Sequence, residues 1–392
     1  MDEAVFRILP LNQISARGLA RLPPDRYQVE PGIDAPHAVL LRSADMHAMK
    51  IPPSLLAVAR AGAGTNNIPV AALTKRGIPV FNAPGANANA VKELVIAGLL
   101  LAARHVCEAW AFVRGLKLEG AALDEAVEGG KKRFVGYELP GRTLGVIGLG
   151  AVGVEVANAA HALRMQVLGY DPQITVQRAW QLSAGVAQAL SVEDLLSRAE
   201  IVSLHVPAVA ATRGLINAAR LKLMKPGAAL LNFARAEIVV ESDVLAALDA
   251  GHLSCYVTDF PSAASKDHPK VIALPHLGAS TGEAEENCAV MVAETLREYL
   301  EHGNLRHSVN FPEAVLPRLP NTCRLAIANA NVPNMVGQIS TALATAGLNI
   351  ADLLNKSRGE IAYTLIDTDA PVPAALVAQL AKIEGVLSVR LV

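Results

Sequence analysis

The stretch "TLGVIGLGAVG", Thr143–Gly153, decides the fold. An apolar strand-like run is followed at once by Gly148, Gly150 and Gly153 and then by a helical pattern. Gly148 permits a tight turn, Gly150 lets the backbone approach a pyrophosphate, and Gly153 lets helix and strand pack closely. The helix start adds unpaired N–H groups and a partial positive charge for phosphates. The next strand-like run, "QVLGYD", ends in Asp171, where a carboxylate suits the hydroxyls of an adenosine ribose. That carboxylate repels a 2′-phosphate, and the nearest following arginine is Arg178, seven residues on, so NAD is favoured over NADP.

Working outward, "QVLGYD", "IVSLHVP" and "AALLNFAR" repeat the strand pattern, separated by helical pieces such as "VEVANAAHALRM" and "SDVLAALDAGH". Such βα repeats predict a doubly wound parallel sheet of Rossmann type. Before them, "VFRILPL", "AVLLRS" and "IPVFNAPG" read as strands of a first α/β unit, with "PPSLLAVARAG" between the second and the third. "AVKELVIAGLLLAARHVCEAWAFVRG" reads as one long helix carrying the chain between domains, with a boundary near residue 90. "GEAEENCAVMVAETLREYLEHGNLRH" is again helical, and Pro312, Pro317 and Pro320 mark a linker. From about Thr322 the order of patterns is βαββαβ, a ferredoxin-like module.

At 392 residues the chain exceeds a single core, and its aliphatic runs with few aromatics suit buried parallel strands. With 35 basic and 36 acidic residues and no basic block, nucleic acid is not an expected partner. Cys107, Cys255, Cys288 and Cys323 lie far apart without metal-ligand spacing, which predicts reduced thiols in a cytoplasmic protein and no metal site. The longest apolar run falls short of a membrane span, so no membrane partner is expected.

Hydride exchange with a 2-hydroxy acid needs a cation for the carboxylate and an acid/base for the hydroxyl proton. Arg235 and His276 each follow a strand-like run, at the sheet edge where ligands bind. A guanidinium fork suits bidentate carboxylate recognition, and an imidazole titrates near neutrality. From position alone, a rim ion pair and a structural histidine explain the two residues as well.

Several stretches together resemble the D-2-hydroxyacid dehydrogenases: "RAGAGTNNIPVAALTKRGIPVFNAPGANANAVKE", "GRTLGVIGLGAVG", "SLHVP", "NFARAEIVVESDVLAALDAG" and "PHLGAST". The terminal module resembles an ACT domain. The likeness implies a flavodoxin-like substrate domain from residues 1–89 and 279–315, a nucleotide domain over 90–278 inserted within it, and an ACT domain over 322–392. It implies catalytic roles for Arg235 and His276. It also implies NAD contacts from Ala151, Val152, His205, Pro207 and Ala234, with Asp259 near the nicotinamide carboxamide. In the branch acting on a phosphorylated 2-hydroxy acid, Arg42 and Ser43 match the phosphate contacts, and Arg60 with the backbone of Gly62, Ala63 and Gly64 would hold the carboxylate end. Lys131 and Lys132 are further phosphate candidates, with a solvated basic loop as the competing reading.

The likeness further implies a homodimer or homotetramer. In serine-regulated members an asparagine before a proline and another after the first ACT helix bind L-serine, and Asn331 and Asn349 match them. Asn334 replaces the usual glycine and Asn329 the usual histidine, so an ACT domain used only for dimerisation competes. A sharper departure lies ahead of His276. The family's glutamate, which favours the imidazolium, has no counterpart between Asp259 and His276; in that loop Asp267 could replace the carboxylate and Lys266 could act as a proton donor or phosphate contact, with a solvated loop as the competing reading. Ala236 also stands where the family has glycine. The alternatives on this fold are a hydroxypyruvate or glyoxylate reductase and a non-catalytic NAD-sensing binding protein.

Overall fold

The computed structural model describes residues 5–11 and 13–392. Its packing divides the chain into two compact units, one formed by the residues up to Asn87 together with Gly282–Val392, the other by Ala88–Thr281.

The first unit opens with five parallel strands, β1 Phe6–Pro10, β2 Tyr27–Val29, β3 Ala38–Leu41, β4 Ala57–Arg60 and β5 Val80–Phe81, ordered β2-β1-β3-β4-β5. This is the flavodoxin-like order. Every residue of β3 is buried, as expected for a parallel strand covered on both faces. The segment "PPSLLAVARAG", set between strands in the sequence reading, itself contains β4, and the short β2 lay outside that reading. Helix Gly282–His302 returns to cover this sheet. Its Ala289 lies so close to Gly18 that a Cβ there would stand 2.5 Å from the alanine Cβ. Arg17 pairs with Glu286 at 2.6 Å, the Tyr27 hydroxyl donates to Glu301 at 2.6 Å, and Phe81 meets Tyr299 at 5.4 Å between ring centroids.

The same unit carries the C-terminal module: β13 Cys323–Ala330, helix Met335–Thr345, β14 Ile350–Arg358, β15 Ile361–Thr368, helix Ala374–Leu380 and β16 Val386–Leu391. Its antiparallel sheet is ordered β14-β15-β13-β16. Along β13 the side chains alternate: Leu325 and Ile327 join the module's own helices, while Ala326 and Ala328 join the core shared with helix Gly282–His302. A fully buried ion pair, Arg324 Nε to Asp367 Oδ1 at 2.6 Å and Nη2 to Oδ2 at 2.7 Å, fastens the sheet at this seam. Arg324 also donates to the carbonyls of His302, Leu316 and Pro317, so each polar edge of the guanidinium is occupied.

The second unit holds seven parallel strands, β6 Thr143–Ile147, β7 Gln166–Tyr170, β8 Val186–Gln188, β9 Ile201–Leu204, β10 Ala228–Asn232, β11 Leu253–Thr258 and β12 Val271–Ala273. Their order, β12-β11-β10-β9-β6-β7-β8, is the Rossmann order extended by one strand, with the switch point between β6 and β9. Hydrophobic layers cover both faces, one built on helices Ala88–Arg104 and Ala151–Ala162, the other on Val192–Arg198 and Glu241–Asp249.

One predicted element is corrected here. The long helix of the sequence reading is two helices, Ala88–Arg104 and Val106–Gly115, bent by 65° at His105, whose φ of +49° is left-handed and ends the first helix. Among the described residues no single helix is long and apolar enough to cross a membrane; this bent pair passes only by length and composition together. Helix Ala88–Arg104 buries Val91, Val95, Leu99 and Ala103 in the core of its unit.

Candidate active site

The turn after β6 has the shape its glycines require. Gly148 has φ of +94°, and a Cβ there would stand 2.7 Å from the His205 carbonyl. A Cβ on Gly153 would stand 1.9 Å from the Gly148 oxygen, whereas Gly150 faces open space. Helix Ala151–Ala162 starts immediately after, with Ala151 and Val152 in its first turn. Asp171, one residue beyond β7, braces the loop: one carboxylate oxygen accepts from Leu149 N at 2.8 Å and the other from Gln173 N at 2.9 Å. Opposite, His205 N donates to the Ile147 carbonyl at 2.8 Å, with Pro207 and Val206 following. Burial pushes the His205 imidazole down to about 4, so it is neutral at pH 7, and its Nε2 lies 2.8 Å from the Ser203 hydroxyl. Close backbone, exposed amide edge and acidic strand end fit a dinucleotide, with a pyrophosphate on the helix start and a ribose at Asp171.

A second group lies past the ends of β10, β11 and β12. Buried Asn232 shapes the first of these loops, its Nδ2 donating to the Arg235 carbonyl at 2.9 Å and its Oδ1 accepting from Ala234 N at 3.2 Å. Arg235 is exposed, its guanidinium turned back onto the Ala234 carbonyl at 2.6 Å. His276 N donates to the Asp259 carbonyl at 3.0 Å, and the imidazole meets the Phe260 ring edge-on at 5.0 Å. His276, Asp259, Ala236, Tyr256, Ser262 and Glu241 line one cavity of about 660 Å³.

Asp259 is the anomaly of this cavity. It is 1 % exposed, and neither carboxylate oxygen makes a well-formed hydrogen bond, although the backbone N–H groups of Gly278 and of Asp259 itself lie near enough to favour its charge. Burial raises its carboxyl above the usual range, opposed by the charges of His276 and Arg235. Lys266 and Asp267 are exposed and pair with one another at 2.7 Å, outside the residues lining the cavity. Tyr256, Ser262 and Glu241 were missed as site residues by the sequence reading, because no local pattern ties them to His276.

In the first unit, the C-terminal ends of β3 and β4 bring Arg42, Arg60 and the loop Gly62–Gly64 together. Arg60 Nε donates to the Arg42 carbonyl at 2.9 Å, and its Nη1 lies under Gly62, where a Cβ would stand 2.6 Å away. Asn67 supports the same turn, donating to the carbonyls of Arg42 and Ala44, which flank Ser43. Asn82 Nδ2 donates to the Ala63 carbonyl at 2.6 Å, and Arg42 pairs with Glu285 at 2.6 Å. Lys131 and Lys132 sit in the short 3-10 turn Lys131–Phe134 of the other unit, both exposed, with Lys131 paired to Glu128.

In the C-terminal module, Asn331 lines a cavity of about 260 Å³ with Asn329, Asn334, Gly337 and Asn355. Asn334 has φ of +63°, a conformation asparagine tolerates where most residues would not. Asn349 lies beyond the far end of helix Met335–Thr345, roughly 16 Å along the axis from its start, and does not line that cavity. Among the described residues the cysteines are free, and no group of three His, Cys, Asp or Glu side chains could hold a metal ion. Burial pushes the Cys255 thiol up to about 12, which leaves it inert.

The glycine turn, its acidic strand end and the strand order define the class of NAD-binding α/β dehydrogenases. Residues 96–278 match the family described as D-isomer specific 2-hydroxyacid dehydrogenase, NAD binding domain. The chain is 35% identical to the D-3-phosphoglycerate dehydrogenase of Haemophilus influenzae, covering 93% of this chain and 89% of that one. It is 34% identical to the enzyme of that name from Escherichia coli, covering 88% and 84%. A crystal structure of NAD+-bound 3-phosphoglycerate dehydrogenase from Entamoeba histolytica aligns with a TM-score of 0.60 at 25% identity, over 78% of this chain and 99% of that one. The chain belongs to the D-isomer specific 2-hydroxyacid dehydrogenase family, and it is an NAD-dependent oxidoreductase.

Proposed function

We propose that this chain oxidises 3-phosphoglycerate to 3-phosphohydroxypyruvate with NAD, the entry step of the phosphorylated route to L-serine. The observation that carries this reading is the likeness to D-3-phosphoglycerate dehydrogenases along nearly the whole chain. When bound, NAD supplies the hydride acceptor. His276 takes the hydroxyl proton at an imidazole nitrogen, and Arg235 orients the α-carboxylate through its guanidinium fork. Arg42 and Ser43 meet the substrate phosphate, Arg60 and the Gly62–Gly64 backbone the carboxylate end, and Lys131 and Lys132 give outlying positive charge. Gly148, Gly150, Ala151, Val152, Gly153, Asp171, His205, Pro207 and Ala234 hold the cofactor, with Asp259 beside its carboxamide.

The reading assigns residues 1–89 and 279–315 to substrate binding, 90–278 to NAD binding and 322–392 to an ACT regulatory domain that takes L-serine at Asn331 and Asn349. It makes the protein a cytoplasmic homodimer or homotetramer. The exposed side chains of Leu100, Val106, Trp110 and Val113 on the bent helix pair support a second copy as the cover for this face.

The test is NADH oxidation with 3-phosphohydroxypyruvate against pyruvate, glyoxylate and 2-oxoglutarate, with and without L-serine. Phosphate-selective turnover lost in His276→Ala is expected. Equal turnover of the phosphate-free acids selects a different 2-hydroxyacid dehydrogenase, and no turnover of any 2-oxo acid leaves a purely binding role.

A further inference from the structure

The cavity around His276 holds a second carboxylate that the proton transfer described above does not use. Glu241 is the first residue of helix Glu241–Asp249 and is partly buried. Its Oε2 accepts from the Ser262 hydroxyl at 2.7 Å. Ser262 is itself held in place, its N donating to Oγ of the fully buried Ser265 at 3.0 Å. The carboxylate is thereby fixed on a rigid element by a residue of the loop that leads to His276.

We propose that Glu241, steadied by Ser262, is a positioning residue for the acid/base step, its fixed negative charge stabilising the imidazolium of His276 as the hydroxyl proton arrives. The inference rests on the reading of His276 as the acid/base. Two other titratable groups line the same space, Asp259 after the end of β11 and the Tyr256 hydroxyl within that strand. Arg235, after β10, lies outside the lining but its charge reaches Asp259. Lys266 and Asp267, in the loop before β12 and also outside the lining, compensate each other. Asp259 is the rival for the same task, but burial opposes its ionisation, and only weak backbone contacts from Gly278 and its own N–H offset that burial. Glu241 has both a donor and access to solvent. Its charge already registers within the cavity: burial first, then Glu241 and Asp259, raise the Tyr256 hydroxyl.

The test is the pH dependence of kcat/KM for NAD-linked oxidation of 3-phosphoglycerate, with unfolding midpoints measured on the same preparations. Oxidation requires the neutral imidazole, so activity falls at acid pH. Removing a carboxylate that favours the imidazolium must move that acid limb to lower pH. Glu241→Gln is expected to shift it down by about one unit, with KM changed less than about twofold. Glu241→Asp, which keeps the charge, is expected to stay near the parent profile, and Ser262→Ala to move part of the way. If Glu241→Gln fails to fold, Ser262→Ala alone decides. A folded Glu241→Gln with an unmoved limb, or a limb moved only by Asp259→Asn, overturns the inference while leaving the acid/base assignment intact. Full activity in His276→Ala instead overturns the assignment beneath it.

Discussion

Asp259 and Asp367 are both buried aspartates at or just beyond the end of a strand, and they could hardly be held more differently. Asp367, in β15, meets Arg324 through two parallel hydrogen bonds of 2.6 and 2.7 Å, and the remaining guanidinium hydrogens reach three backbone carbonyls. Asp259, just past β11, makes no well-formed hydrogen bond on either oxygen. A buried polar group without a partner costs about 1–3 kcal/mol, more when charged. The satisfied pair marks architecture, and the under-satisfied carboxylate supports the proposed place of Asp259 beside the cofactor's carboxamide.

The largest effect should follow from breaking the satisfied pair. Asp367→Ala strands the Arg324 charge in the interior and is expected to lower unfolding free energy in urea by about 3–5 kcal/mol. Asp259→Asn should act in the opposite domain of measurement: NADH-linked turnover falls at least about tenfold, while the urea midpoint holds or rises. Equal destabilisation by the two variants would break the contrast.

The pH dependence sharpens it. Because burial raises the Asp259 carboxyl, its neutral form is favoured in the folded protein. Its relative stabilisation is full below the ordinary aspartate range near 3.9, and is lost as pH rises through the raised folded value. The stability of the parent relative to Asp259→Asn should therefore decline as pH rises above about 4 towards the raised folded value; a flat difference would mean that the carboxylate finds a partner in solution. The smallest effect is expected from replacing the satisfied pair whole. Arg324→Met with Asp367→Leu should recover most of the loss caused by Asp367→Ala, since an apolar pair of similar volume is often neutral or stabilising. A double variant as unstable as the single one would show that the carbonyl contacts of Arg324, rather than its ion pair, fasten the seam.

The parts legible in the sequence were those where local sterics or periodicity leave one solution. Gly153 had to be glycine because its Cβ position falls within 1.9 Å of a carbonyl oxygen, and the alternation of Leu325, Ala326, Ile327 and Ala328 announces a strand with two different faces. The break at His105 was not legible, since neither proline nor glycine marks it. The strands β2 and β8 are three residues each, too short for a period to register. Glu241 and His276 share a cavity because parallel strands and their crossovers bring separate loops to one sheet edge, which no local window reports. The charges at Lys266 and Asp267 were legible as residues but not as a pair that compensates itself.

Helix Gly282–His302, which closes over β1–β5 through Gly18, Tyr27 and Phe81, has a consequence for biosynthesis. The ribosome finishes the first five strands long before it makes the helix that covers them. With all of Ala88–Thr281 between, the wait is roughly 10–40 s at ordinary elongation rates. The nascent N-terminal segment must pass that interval with apolar surface uncovered, a window for chaperone capture, while the inserted segment has everything it needs to fold as soon as it emerges.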